Sequence, residues 1–194
     1  MPPSNSIPPA FPLREVKLPA GVSGRLLLSA LPGRAQPWEE PEQAFGLAEA
    51  AILASGVSLV VNLVPEESLG HLSPIYLERT RKGALRWKSL HLPIPDYGVP
   101  ERVDDLVAGA RGAAGRLQRG EALLVHCVAG IGRTGLFAIA ALLHLGVPLS
   151  RARDLVRQAG SGTESPAQRT LLQELAGRLG AQPPTRRRGP ARPS

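Results

Sequence analysis

One stretch of the sequence, residues 122–145, constrains the fold more than any other. It begins with an apolar run that ends at Val125 and is long enough for one buried strand. A glycine-rich loop follows, with Cys127 near its start, and the pattern then becomes apolar and helical through Leu145. The stretch therefore predicts a strand, a tight loop and a helix, with a cysteine at the carboxyl end of the strand.

This arrangement suits a nucleophile that attacks an anionic group. The backbone N–H groups of a tight glycine-containing loop can converge on an oxyanion, and the positive end of the following helix adds to their field. The same field favours the thiolate form of Cys127. Arg133, six residues further along, offers a planar fork to two oxygens of a phosphate. Together these features predict nucleophilic attack on phosphorus.

The run from His126 to Gly135 reads His-Cys-x-x-Gly-x-x-Arg-Thr-Gly, with six fixed positions in ten residues. It resembles the signature of the cysteine-based protein tyrosine and dual-specificity phosphatases. A shorter segment, residues 24–33, resembles the kinase-associated-phosphatase group of small dual-specificity enzymes. The resemblance implies a protein tyrosine phosphatase-like fold. The alternation of predicted strands and helices also favours an α/β class with a mainly parallel central sheet flanked by helices.

The resemblance implies a role for each residue of the signature. Cys127 is the expected nucleophile, and Arg133 with the loop amides holds the phosphate oxygens. His126 orders the loop and tunes the thiol, while Thr134 can hydrogen-bond the sulfur. The expected substrate-binding residues are Val128, Ala129, Gly130, Ile131, Gly132 and Arg133.

A proline-framed loop, residues 93–100, contains the expected general acid. The resemblance implies a mobile loop that carries this acid about thirty residues before the cysteine, and Asp96 lies 31 residues before Cys127. Asp104 and Asp105 are the alternatives. Both fall inside the next predicted helix, which is a poor position for an acid that must close over a substrate.

A glutamine and a pair of glutamates each have a functional interpretation and an ordinary structural one. A glutamine in the family faces the site and helps to place water, and Gln168 matches its position loosely; the alternative is a surface helix glutamine. Glu66 and Glu67 follow a predicted buried strand, so one of them could orient Arg133. The alternative for this pair is the acidic start of a helix.

Other interpretations of the glycine-rich loop fit less well. Residues 130–135 also match G-x-G-x-x-G, and Asp154 follows about twenty residues later, as in a dinucleotide site. That acid should end a second strand, however, and Asp154 falls in a predicted helix, 151–159. A nucleotide P-loop would need lysine before Thr134, where Arg133 stands. A purely structural cysteine is the remaining alternative.

The chain length and composition favour one domain with two extensions. The 194 residues are enough for a single domain with a real core. We predict a proline-rich segment at 1–15, a phosphatase domain at 16–180 and a basic, disordered tail at 181–194. The net charge of +7 includes four arginines of the tail, so we do not expect the fold to bind nucleic acid. A single cysteine excludes an internal disulfide and favours a reducing compartment.

The sequence thus predicts a cysteine-dependent protein phosphatase that forms a cysteinyl-phosphate intermediate. Its expected partner is a protein carrying phosphotyrosine, with phosphoserine and phosphothreonine as further candidates. The alternatives are a phosphatase for a phosphoinositide or an RNA 5′ end, and a non-catalytic phosphopeptide-binding module. Phosphoinositide relatives often have lysines inside the loop, where this chain has Val128 and Ile131.

We expect no cofactor or metal, because no cluster of candidate ligands has metal-binding spacing. No run reaches the length of a transmembrane helix, and the N-terminus lacks the pattern of a signal peptide. A cytoplasmic monomer without membrane association is therefore expected.

Overall fold

The computed structural model describes residues 11–180. The predicted disordered tail and most of the predicted proline-rich segment lie outside these residues. The strands are β1 Arg14–Val16, β2 Arg25–Ser29, β3 Val57–Asn62, β4 Lys88–His91 and β5 Ala122–His126. The helices are α1 Pro41–Ala54, α2 Glu66–Leu72, α3 Pro74–Arg81, α4 Val103–Gln118, α5 Gly132–His144, α6 Leu149–Gln158 and α7 Pro166–Gly180.

The five strands form one sheet in the order β1-β2-β5-β3-β4. All neighbouring pairs are parallel except β1 and β2, which are antiparallel. The prediction of an α/β fold with a mainly parallel sheet is confirmed. Ser29, His126 and Asn62 end their strands side by side in register, so the loops that follow them leave from one edge of the sheet. Ligand sites of parallel sheets lie at this edge.

Helix α5 occupies the centre of the helical layer. Its residues from Gly132 to Leu143 are all buried, and it packs against α4, α6, α7 and strand β5. A helix that is apolar on all sides is stable only when other elements surround it. The helix that follows the cysteine loop is therefore held rigidly, which keeps the loop at its N-terminus in place.

Several element boundaries differ from those predicted. Residues 16–18 have the pattern of an edge strand, and the strand found there, β1, begins at Arg14 and ends at Val16. The pattern of residues 72–81 predicts one short helix, and the structure has α3 there. This helix begins at Pro74 because proline cannot continue the backbone hydrogen bonding of α2, which ends at Leu72. No helix in residues 11–180 has the length and apolar character needed to span a membrane.

Two acidic residues considered for function have other partners. Glu66 and Glu67 form the acidic start of α2, as the second of the two interpretations of this pair predicts. Glu66 accepts a hydrogen bond from Arg81 Nε at 2.7 Å and does not orient Arg133. Asp154 lies within α6, where it pairs with Arg157. The dinucleotide interpretation therefore lacks an acid at the end of a second strand.

Candidate active site

Cys127 lies directly after β5, at the edge of the sheet where the parallel strands end. Its side chain is only 2% exposed, and it is a free thiol. The sulfur accepts a hydrogen bond from the N–H of Gly130 at 3.2 Å. The loop thus folds back so that a backbone donor points at the sulfur, which stabilises negative charge there.

Gly130 is required by the shape of this loop. Its φ of +73° lies in the left-handed region, and a Cβ atom at this position would overlap the carbonyl oxygen of Ser29. Only glycine satisfies both conditions. The glycine of the signature therefore allows the loop to pack closely against the end of β2.

Arg133 is the second residue of α5, and its guanidinium is buried beneath the predicted acid loop. Nη1 donates a hydrogen bond to Ile94 O at 3.3 Å, and Nη2 lies 2.9 Å from Asp96 Oδ1. The structure brings Asp96 to Arg133, although 68% of the Asp96 side chain remains exposed. Asp105, one of the alternatives, pairs with Arg102 at the start of α4 instead.

Gln168 joins the acid loop to α7. Its side chain is fully buried, so the alternative of a surface helix glutamine is wrong. Nε2 donates to Gly98 O at 3.0 Å, and Oε1 accepts from the N–H of Glu164 at 3.0 Å. Tyr97, between Asp96 and Gly98, has a φ of +54°, a value that non-glycine residues rarely adopt. Gln168 thus anchors a tight turn that carries Asp96.

His126 supports the base of the loop from inside the core. Its ring is fully buried, and Nε2 is hydrogen-bonded to Tyr76 Oη at 3.0 Å. Burial lowers the pKa of His126 to about 3, so the imidazole is neutral in the folded protein.

Thr134 Oγ1 is buried and has no hydrogen-bond partner within residues 11–180. Its expected hydrogen bond to the sulfur is therefore not formed in this structure.

We expect His126 to make stability depend on pH. Because its folded pKa lies below the ordinary value, the unfolded chain binds more protons below pH ~6.5 and stability falls as pH is lowered. The loss is up to about 1.4 kcal/mol per pH unit. His126→Gln should flatten this slope when urea unfolding is measured from pH 5 to 7.5.

His144→Gln is the matched control for this prediction. Burial also lowers the pKa of His144, but that side chain is only partly buried, so its contribution is smaller. If His126→Gln leaves the slope unchanged relative to the parent protein, His126 is not a buried neutral group.

Residues 37–147, more than half of the chain, match the family model described as "Tc-R-P: Polymorphic toxin system, DSP-PTPase phosphatase". The chain belongs to this family. The match covers Cys127, Arg133 and Asp96, but it excludes Arg14 and Gln168. None of the curated proteins compared with the chain matches it.

Solved structures of several phosphatases share the fold. Kinase-associated phosphatase, crystallised with its catalytic-site cysteine replaced by serine, superposes with a TM-score of 0.73 at 21% identity, covering 91% of this chain and 99% of its own. Tk-PTP in its active form superposes with a TM-score of 0.60 at 29% identity, and the match covers 81% of this chain and 95% of Tk-PTP. PTPMT1 in complex with PI(5)P superposes with a TM-score of 0.61 at 21% identity, and the match covers 80% of this chain and 92% of PTPMT1.

Proposed function

We propose that this member of the DSP-PTPase family hydrolyses phosphotyrosine in proteins through a cysteinyl-phosphate intermediate. One observation carries the proposal: a buried thiol, a glycine-rich loop at a helix N-terminus and an arginine–aspartate contact converge at one edge of the sheet. Cys127 supplies the nucleophile, Arg133 the cation and Asp96 the acid. Phosphoserine and phosphothreonine are further candidate substrates.

In the first step, the Cys127 thiolate attacks phosphorus, the S–P bond forms and the ester P–O bond breaks. Asp96 in its protonated form donates its proton to the leaving oxygen. The amides of residues 128–133 and the Arg133 guanidinium hold the remaining phosphate oxygens. Asp96 Oδ1 lies 2.9 Å from Arg133 Nη2, so the carboxyl has to turn from Arg133 toward the leaving group before it donates.

In the second step, water attacks the phosphorus of the intermediate. The Asp96 carboxylate accepts the proton from this water, the S–P bond breaks and inorganic phosphate leaves. Gln168 holds the loop of Asp96 through Gly98, which supports a role in placing the water. The buried Thr134 hydroxyl can then turn to the departing thiolate.

The surroundings of the thiol favour an aryl phosphate. Cys127 is recessed, and two large side chains near it are exposed: Tyr97 on the acid loop, 63% exposed, and Ile131 on the cysteine loop, 40% exposed. Phosphotyrosine extends its phosphate further from the peptide backbone than phosphoserine does, and its ring can pack on such side chains. These features support phosphotyrosine as the preferred substrate.

A phosphoinositide is the second candidate, because the similar structure of PTPMT1 contains PI(5)P. The cysteine loop argues against it, since the side chains of Val128 and Ile131 offer no cation to additional phosphates. Purified protein should be tested with phosphotyrosine, phosphoserine and phosphothreonine peptides, PI(5)P vesicles and 5′-triphosphate RNA, all with chelator present.

We expect kcat/KM for the phosphotyrosine peptide to exceed that for every other substrate by at least about tenfold. Cys127→Ser protein, purified in the same way, controls for contaminating phosphatases. Preference for PI(5)P or RNA would replace the proposed substrate class. Binding of phosphopeptides without hydrolysis of any substrate would favour the non-catalytic module.

A further inference from the structure

Three carbonyl groups of the cysteine loop accept hydrogen bonds from outside the loop. Val128 O accepts from the N–H of Leu31 at 3.1 Å, and Ile131 O accepts from Ser161 Oγ at 2.8 Å. Between them, Gly130 O accepts from Nη2 of Arg14 at 2.6 Å. Only the last of these donors carries a charge.

Arg14 reaches this position because of the direction of β1. This strand runs antiparallel to β2, and its first residue lies opposite Leu28, close to the edge of the sheet where the loop begins. The two ends of the guanidinium serve different loops: Nη2 binds Gly130 O, and Nη1 binds Gly160 O in the loop after α6. Arg14 thereby ties the cysteine loop to the segment that contains Ser161.

The hydrogen bond to Gly130 O also determines where the next amide points. In a planar trans peptide the carbonyl and the following N–H point in opposite directions. When Arg14 holds the Gly130 carbonyl outward, the N–H of Ile131 points the other way, into the loop. A charged donor also polarises this peptide group and strengthens its N–H as a hydrogen-bond donor.

We infer that Arg14 is a positioning residue that orients the amide of Ile131 for phosphate and stabilises negative charge in the cysteine loop. It contacts neither the thiol nor the substrate site directly and acts through the peptide group of Gly130 and Ile131. The inference rests on the proposed function, since it assumes that this loop binds phosphate. Arg14 lies outside the residues that match the family model.

The test compares Arg14→Met, which keeps an unbranched stem without donors, with Arg14→Lys, which keeps the charge but not the fork. Arg25→Met is the matched control. Arg25 lies at the opposite end of β2, where it forms an exposed ion pair with Glu15 at 2.8 Å. Three quantities are measured: tungstate affinity by calorimetry, the pH midpoint of Cys127 alkylation by iodoacetamide, and the thermal midpoint.

Arg14→Met should weaken tungstate binding about tenfold, the loss expected for one charge-assisted hydrogen bond. Its alkylation midpoint should rise by about half a pH unit, because the thiolate loses part of its stabilisation. Arg14→Lys should lose only about threefold in tungstate affinity, since its ammonium can still donate to Gly130 O but lacks the planar fork that reaches Gly160 O at the same time. Arg25→Met should match the parent protein in both measurements.

Unchanged tungstate affinity and alkylation midpoint in Arg14→Met would overturn the inference. If Arg14→Met does not fold, Arg14→Lys decides: parental values for both measurements overturn the inference, and a partial loss at an unchanged thermal midpoint supports it. Neither measurement requires turnover. A parent protein that hydrolyses no substrate would therefore contradict the proposed function and leave the test of Arg14 valid.

Discussion

Replacing Cys127 with serine should lower turnover of a phosphotyrosine peptide on the order of 10⁴-fold or more. A serine hydroxyl does not ionise in this loop near neutral pH, so the nucleophile is lost. The loop amides and the Arg133 guanidinium remain in place. Tungstate affinity, measured by calorimetry, should therefore stay within about tenfold of the parent value.

The unchanged anion site distinguishes a lost nucleophile from a damaged loop. Serine can still accept the hydrogen bond from Gly130, so the thermal midpoint should change little. Substantial activity in Cys127→Ser protein would exclude the covalent mechanism. Loss of tungstate binding together with activity would instead mean that the thiol is mainly structural.

Replacing Asp96 with asparagine should affect substrates according to their leaving groups. For a peptide or alkyl phosphate, whose leaving oxygen needs a proton, kcat/KM should fall by about 10²–10⁴-fold. For an activated aryl phosphate the loss should be much smaller, because P–O cleavage needs no acid. In the second step the attacking water then lacks its general base, so kcat should still fall. Because the first step becomes the faster one, rapid mixing should show a burst of the released phenol.

Asp104→Asn is the matched control, because Asp104 is an exposed acid in the first turn of α4. This variant should leave kcat/KM unchanged for both substrates. Tungstate affinity should rise in Asp96→Asn, since Arg133 loses its carboxylate partner. Equal losses on both substrates would assign Asp96 a structural role, and the general acid would then be sought among Asp104 and Asp105.

The local parts of the fold could be predicted because their signals are contiguous in the chain. The apolar run before His126, the glycines and the apolar helix after Arg133 each specify backbone structure over a few residues. The parallel sheet followed from the alternation of strands and helices. The resemblance to the phosphatase signature pointed to Cys127 as the candidate nucleophile and to Asp96 as the candidate acid, and Asp96 does contact Arg133 in the structure.

Contacts between distant segments could not be predicted in this way. Arg14 binds Gly130 across 116 residues, and Gln168 binds Gly98 across 70 residues. The direction of β1 decides the first contact, and the docking of α7 on α5 decides the second. The same limit left the partner of Glu66 open, and the structure shows that it is Arg81 rather than Arg133.

The sequence alone therefore specifies the cysteine loop and indicates a phosphatase, because a strand, a glycine turn and a helix N-terminus are local structures. The surroundings of that loop are decided by tertiary structure. A guanidinium, a hydroxyl and a backbone amide reach its carbonyls from three separate segments, and each arrives only when the sheet order and the helix packing bring that segment to the same edge.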